Sequence, residues 1–366
     1  MTIVEIAFWL SAGLIVYTHI GYPVLLWALS RLSRTDTRRT ANGERRTASI
    51  VIAAHNEEAV IERRIANLRE LDMPAQIIVA SDGSTDSTVE RAKAAGADLV
   101  LDLPRGGKVR AQDAGVERAN GEIVAFTDAN ALWAPDALKQ LVTPFADPKV
   151  GYVCGQVRFV DPAGGGNQEG AYWRYEMLIR ALESRLGGIT AGNGAIYATR
   201  RDAYMVVDPR MGHDLSFPFN FVKRGWRAIY EPLARAEEKM VPTVEGEFRR
   251  KRRMMSHTWP IVFEGGMLSP RGYSPLYALE VFSHRILRYA TPFLHLIALG
   301  TNIALLGESW VYAVTLGIQL GLLLAAAIGV KIARYYVLIT ASPAAGLWDW
   351  LRRGTPAEWE QAEGTR

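Results

Sequence analysis

Three short apolar runs, each closed by acidic or amide side chains, constrain this chain more than any other feature. "ASIVIAAHNEE", "QIIVASDG" and "EIVAFTDAN" are strand-length and rich in β-branched residues. They end in His55-Asn56-Glu57, Asp82-Gly83-Ser84 and Asp128-Ala129-Asn130. Helix-like stretches separate and follow them, at Glu58 to Leu71, Ser87 to Ala95, Lys108 to Asn120 and Pro135 to Phe145, with "ADLVLDL" as a further short strand. This alternation predicts an α/β fold with a mostly parallel, doubly wound sheet. Ligands in such sheets gather beyond the carboxyl ends of the strands. Taken singly, each acid reads equally well as a turn former or helix cap, Asp82 and Asp86 included. Three successive strands ending in polar clusters at one edge point instead to a shared site.

The flanks have a different character. Ile3 to Leu32 carries only Glu5 and Arg31 as formal charges, which is long and apolar enough to cross a bilayer. It lacks a basic leader and is too long for a signal peptide, so it reads as a retained anchor, kinked at Gly21-Tyr22-Pro23. Near the other end, Tyr289 to Leu306 and Trp310 to Val330 are two further spans, and Tyr335 to Leu351 is a third, interfacial or kinked segment. Leu276 to Arg288 mixes charged and apolar residues as an amphipathic helix on a membrane surface would. Arg31, Arg34, Arg38, Arg39, Arg45 and Arg46 follow the first span, which places the middle of the chain in the cytosol by the positive-inside rule. The expected organisation of the 366 residues is an anchor over 1–33, a basic linker over 34–47 and a globular domain over 48–270. An interface helix over 271–288, a membrane region over 289–353 with a cytosolic C-terminus, and a tail over 354–366 complete it.

The single cysteine, Cys154, excludes a disulfide framework and a cysteine metal cluster, and reads as a small core residue. The net charge of +4 comes largely from juxtamembrane arginines and from "EFRRKRRMMSHTW". No zinc-finger spacing or RNA-binding aromatic motif accompanies it, so a membrane surface and a phosphate ligand account for the basic residues better than nucleic acid. Asp82 can accept hydrogen bonds from a base or ribose. Lys108 follows Gly106-Gly107 at a helix start, where backbone N–H groups and an ammonium would meet a phosphate; a solvated helix lysine is the plain alternative. Asp128 is the hard oxygen ligand that Mg²⁺ or Mn²⁺ bridging two phosphates needs; the plain alternative is a helix cap. There is no Gly-x-x-x-x-Gly-Lys-Ser/Thr loop and no Gly-x-Gly-x-x-Gly after the first strand, which argues against a P-loop NTPase and a dinucleotide site.

Together these pieces resemble the family 2 glycosyltransferases with the GT-A fold, and among them the membrane-bound cellulose-synthase-like group. The resemblance runs in order through "IAAHNEEAVI", "VASDGSTDST", "GGKVRAQDAG", "GEIVAFTDAN", "GAIYATRRDAY", "HDLSFPFNFVKRGWRAIYEP" and "EFRRKRRM". It implies a GT-A sheet in a cytosolic domain with N-terminal and C-terminal transmembrane helices, at the inner membrane. It implies an inverting transfer from a nucleotide-sugar donor, a UDP-sugar, to a glycan or lipid-linked acceptor, as in polysaccharide synthesis, with a divalent metal cofactor. Asn56, Glu57 and Asp82 look like the nucleotide group, Lys108 like the phosphate-side lysine, and Asp128 and Asn130 stand at the family's metal-binding Asp-x-Asp. Asp214 stands at the general base, after His213 in place of an acid. Arg250, Arg253 and Met254 occupy the Gln, Arg and Trp places of Gln-x-x-Arg-Trp, with Arg253 expected at the departing diphosphate. Met254 lacks the flat face that stacks on an acceptor sugar. Gly192-Asn193-Gly194 is a candidate acceptor wall, and equally a tight strand turn. So few spans would require partner subunits or an oligomer to form a polymer channel. A nucleotidyl or phosphoryl transferase and a non-catalytic nucleotide-sugar-binding subunit are the rival expectations.

Overall fold

The computed structural model describes residues 1–32, 46–160, 169–241 and 243–358. Most of the expected linker, with Arg34, Arg38, Arg39 and Arg45, and residues 359–366 of the expected tail lie outside the described residues. Eight strands form one sheet: β1 (Ala48–Ala54), β2 (Gln76–Asp82), β3 (Leu99–Leu103), β4 (Ile123–Asp128), β5 (Leu132–Trp133), β6 (Val150–Val160), β7 (Tyr197–Arg200) and β8 (Arg227–Lys239). Their order is β3-β2-β1-β4-β7-β6-β8-β5. The first four are parallel, as expected. From β7 onward the sheet is mixed: β7 runs antiparallel to β4 and β6, and β5 antiparallel to β8, while β6 and β8 are parallel.

The parallel half explains its own sequence. Both faces are covered, so alternate residues of one strand enter two cores. Ile50, Ile52, Ile77, Val79 and Ile123 pack with Ile61, Ile65 and Leu68 of the Ile61–Arg69 helix. Val51, Ile78, Val124 and Phe126 face the other way, toward Tyr152 and Tyr197. The register sets Ala54 opposite Ser81 and Ala53 opposite Asp128. The ends of β1, β2 and β4 therefore lie side by side, with Asp82 and Asp128 flanking the central strand.

Among the described residues two helices are long and apolar enough to cross a membrane, over Ile3–Leu32 and Trp310–Ala327. The first is interrupted by a π-turn over Tyr17–Gly21, directly before Tyr22-Pro23. Pro23 has no N–H for the carbonyl of His19, and that carbonyl accepts instead from the Tyr175 hydroxyl at 3.0 Å. Leu287–Ala304, the second expected span, packs along Ile3–Val16.

The expected surface-lying helix over 271–288 is corrected by the structure. Pro275–Val281 runs through a π-turn, Phe282–Ile286, into Leu287–Ala304 without a break. Its charges are buried rather than exposed: Glu280, His284 and Arg285 all lie inside the fold, Glu280 Oε2 without a hydrogen-bond partner among the described residues. His284 Nδ1 meets Glu183 at 2.6 Å and Arg288 pairs with Glu176. Tyr22 donates to Glu183 at 2.7 Å, which ties the first span to the same cluster. The last helix, Lys331–Arg353, is longer than the expected 335–351 segment and lies along Val244–Phe263. Asp349 pairs with Arg252 at 2.5 Å, and the Pro343 carbonyl accepts from Trp259 Nε1 at 3.0 Å. The chain then turns at Gly354, and Thr355 donates to the Ser256 carbonyl at 2.7 Å. That turn returns the tail to the sheet domain, and Ala357 lies against Gly107.

Candidate functional site

At the ends of β1 and β2 the polar clusters tie the turns to one another. Asn56 has φ +53°, a left-handed conformation that asparagine tolerates. Its side-chain oxygen accepts from Thr85 N–H at 2.8 Å, and its own N–H donates to Ser84 Oγ at 3.1 Å. Glu57 N–H donates to Thr88 Oγ1 at 2.8 Å. Asp86 accepts from the N–H groups of Thr88 and Glu58, at 3.0 and 3.1 Å, which is the capping alternative for that residue.

Asp82 reaches across to the next loop. Its carboxylate, 4% exposed, accepts from Gly106 N–H at 2.7 Å, from Gly107 N–H at 3.0 Å and from Arg105 at 2.9 Å. Gly107 has φ +98°, open to glycine, and the helix Lys108–Glu117 begins at the next residue. Asp82 thus fixes the loop from which Lys108 projects. Lys108 in turn pairs with Asp128 at the end of β4. Burial alone would lower the Lys108 ammonium, but Asp128, with Asp214 and Glu238 further off, raises its pKa overall.

A cavity of about 750 Å³ opens beside this pair, a size suited to a nucleotide-sugar. Lys108, Asp128, Asp214 and Arg250 line it. Gly192-Asn193-Gly194 forms the wall between the two acids. Gly192 N–H donates to the Asp214 carbonyl at 2.6 Å, and a Cβ on Gly194 would lie 3.2 Å from Lys108 Nζ. Asn193 is spent on the turn itself, donating to the Gly155 carbonyl and accepting from Ala195 and Ile196. The turn alternative is thus realised, and the same stretch lines the cavity.

Asp214 sits in the first turn of His213–Lys223, and its carboxylate has no hydrogen bond among the described residues. Its neighbour His213 turns inward, stacked on Phe217 with ring centroids 3.8 Å apart and joined through Nδ1 to the Tyr197 hydroxyl at 2.9 Å. Burial, with Lys108 adding to it, lowers the His213 pKa to about 3, so the ring is neutral. Overhead, Val244–Phe263 presents Arg250, Lys251, Met254 and Thr258 to the cavity. Arg250 and Lys251 share the Glu247 carboxylate, at 2.8 and 2.9 Å.

Several expected site residues stand elsewhere. Asn56, Glu57, Asp82, Asn130 and Arg253 are not among the residues lining the cavity. Asn56, Glu57 and Asp82 hold turns around it. Arg253 lies one helical turn before His257, which does line the cavity, on the same helix as Arg250, Met254 and Thr258. Asn130 lies beyond the wall residue Asp128, so of the expected metal pair Asp128 alone faces the cavity. Among the described residues no three His, Cys, Asp or Glu side chains gather as a metal cluster. Lys251 and Glu238 line the cavity but were not expected. Lys251 is hidden within an arginine run, and Glu238 near the end of a thirteen-residue strand with no motif around it.

Residues 49–207 match the family described as glycosyl transferase family 2. An N-acetylglucosaminyltransferase of Rhizobium meliloti (strain 1021) is 24% identical over 69% of this chain and 66% of its own length. A beta-monoglucosyldiacylglycerol synthase of Nostoc sp. is 34% identical over 42% of this chain, which spans 36% of that protein. In three dimensions the chain resembles the mannosyltransferase PcManGT from Pyrobaculum calidifontis, solved in complex with GDP-Man and Mn²⁺. The TM-score is 0.73 at 23% identity, covering 96% of this chain and 99% of that one.

Proposed function

We propose that this chain, whose residues 49–207 match the glycosyl transferase family 2, moves a sugar from a nucleotide-sugar to an acceptor hydroxyl at a membrane surface, with inversion at the anomeric carbon. One observation carries the reading. A single cavity brings the Lys108–Asp128 pair, the cations Arg250 and Lys251, and the unengaged carboxylate of Asp214 onto its walls. Lys108 would take the donor's diphosphate, and Arg250 and Lys251 would meet its negative charge from above. Asp214 would accept the proton of the acceptor hydroxyl as its oxygen bonds to C1. The C1–O bond to the diphosphate breaks, and the nucleoside diphosphate leaves with the electron pair.

A divalent cation fits the donor set as Asp128 plus diphosphate oxygens, the sparse ligation that Mg²⁺ accepts beside phosphates. When bound, it would neutralise charge on the leaving diphosphate. The structural neighbour solved with Mn²⁺ supports the same reading. Asp82 acts as the anchor of the Gly106-Gly107 loop, and a UDP-sugar is the proposed donor. Three spans, the two apolar helices plus Leu287–Ala304 packed along the first, would put the domain and C-terminus together on the cytosolic face of the inner membrane, in keeping with a tail that returns to the sheet domain. The proposed acceptor is a glycan or a lipid-linked acceptor; the likeness to a beta-monoglucosyldiacylglycerol synthase favours the lipid.

The test is release of nucleoside diphosphate by the purified full-length chain from a panel of UDP- and GDP-sugars, with native-membrane lipid as acceptor source. One donor class should be turned over, and Asp214→Asn should abolish that turnover while the donor still binds. Turnover indifferent to Asp214→Asn would remove the base assignment.

A further inference from the structure

Arg180 lies on the cavity wall and has no part in the steps above. It projects from the helix Glu169–Arg185 and is 6% exposed. Its Nη2 donates to the Gly192 carbonyl at 3.0 Å, and Nη1 reaches Cys154 Sγ, a weak acceptor, at 3.7 Å. The centre of the Tyr230 ring is 5.8 Å from the guanidinium carbon. No carboxylate pairs with Arg180 among the described residues. Glu176 and Glu183 of the same helix are engaged by Arg288 and His284 instead. A buried cation without a counter-charge is costly, and an ion partner offsets that cost. Arg180 Nε–H and the second hydrogens of both terminal nitrogens remain for such a partner. Gly192 joins this cation to the proposed base: its carbonyl takes Arg180, and its N–H holds the Asp214 carbonyl at 2.6 Å. A molecule whose hydroxyl meets Asp214 therefore brings a neighbouring substituent to Arg180.

We infer that Arg180 binds a carboxylate of the acceptor, so that the unit whose hydroxyl reacts is an acidic sugar of the uronic acid class. This rests on Asp214 as the base and on the Lys108 end as the donor site. A carboxylate brings one negative charge and two coplanar oxygens, which a guanidinium edge meets with parallel hydrogen bonds. The donor end gathers Lys108, Arg250 and Lys251 for a diphosphate, whereas Arg180 offers a single charge. A neutral acceptor would leave that charge unmet. Trp173 lines the cavity two turns earlier on the same helical stripe, about 10 Å along the axis. Its Nε1 is tied to the Val157 carbonyl at 2.7 Å, which fixes an aromatic surface for the next sugar unit.

The test uses the full chain in detergent with its donor end filled by nucleoside diphosphate. Methyl glucuronide, methyl glucoside and inorganic phosphate are then titrated, with binding followed by ligand-observed NMR. The glucuronide should bind about tenfold or more tightly than either of the others. Arg180→Gln should bring the glucuronide down to the level of the glucoside. Arg180→Lys keeps the charge without the planar fork and should retain part of the preference. Arg180→Met should lose the preference without lowering the thermal midpoint, because it removes a charge that no acid of the protein pairs. A lowered midpoint in that variant would make the arginine a structural residue and overturn the inference. Equal binding of the glucoside, or a preference that survives Arg180→Gln, would overturn it too. Tighter binding of inorganic phosphate would remove the carboxylate. Failure of the nucleotide itself to bind would instead overturn the donor-site reading.

Discussion

Asp82→Asn separates two roles for the residue that ends β2. In the structure the Asp82 carboxylate accepts from two backbone N–H groups and one guanidinium, at 2.7 to 3.0 Å, while almost fully buried. Hydrogen bonds to a charged group contribute about 1.5–3 kcal/mol each, and they are not additive. Asparagine keeps the shape and one acceptor oxygen, but it loses the charge and turns an N–H₂ toward donors. The expected loss is about 2–4 kcal/mol of stability, taking the equivalent of one to two such bonds as lost. For a domain of this size that lowers the thermal midpoint by roughly 4–15 °C. The loosened Gly106-Gly107 loop should also raise KM for the donor through Lys108. Because the effect passes through the phosphate end, UDP- and GDP-sugars should suffer by the same factor. Thermal unfolding in detergent and donor KM for both nucleotide classes provide the readouts. An unchanged midpoint with an altered UDP-to-GDP preference would refute the anchoring argument and return Asp82 to direct contact with the base.

Other consequences can be measured on the same preparation. Asp214→Asn should reduce kcat by about 10²–10⁴-fold, the usual contribution of a general base, with donor affinity retained in a binding titration. Gly194→Val would push β-branched bulk toward Lys108 Nζ, only 3.2 Å from the position of a Cβ, and should raise donor KM about tenfold or more with little change in the thermal midpoint. Chelation should suppress turnover and Mn²⁺ or Mg²⁺ restore it, while Asp128→Asn should need far more metal for the same rate. His213 is neutral in the fold because its pKa is lowered to about 3 from the 6.5 that applies once unfolded. Its contribution to stability is therefore present above pH 6.5 and lost as the pH falls toward 3, at up to about 1.4 kcal/mol per pH unit. The difference in unfolding free energy between the wild type and His213→Phe should follow that slope.

The parallel half of the sheet was legible because its strands are buried on both faces and so read as unbroken apolar runs. Their shared carboxyl edge followed from parallel topology, and with it the approach of Asp82 to Asp128. Lys108 was legible through the glycines before it, and Asp214 through the pattern around it. What Asp82 holds was not legible, since its partners lie in a loop more than twenty residues on, and a free acid at a strand end looks the same as an engaged one. The place of Arg253 along its helix was legible, but not whether it reaches the cavity wall, since a motif fixes the order of residues along a helix, while the facing stripe depends on how that helix is laid across the domain. The charges of 276–288 suggested a wet face, yet their partners Glu176 and Glu183 come from a helix a hundred residues earlier. The contact of Ala357 with Gly107 joins the far end of the chain to its middle, and no local pattern announces it.

Glycosyl transfer in this cavity breaks the bond between the anomeric carbon and the diphosphate oxygen, on the face of the sugar opposite the hydroxyl that Asp214 deprotonates. A donor nucleotide-sugar labelled with ¹⁸O in the oxygen bridging C1 and the β-phosphorus tests this directly, with mass spectrometry of the products after turnover by the full-length chain. Attack at C1 predicts that the label leaves entirely in the nucleoside diphosphate. Label found with the sugar would mean attack at phosphorus, and would contradict the assignment of this cavity to glycosyl transfer.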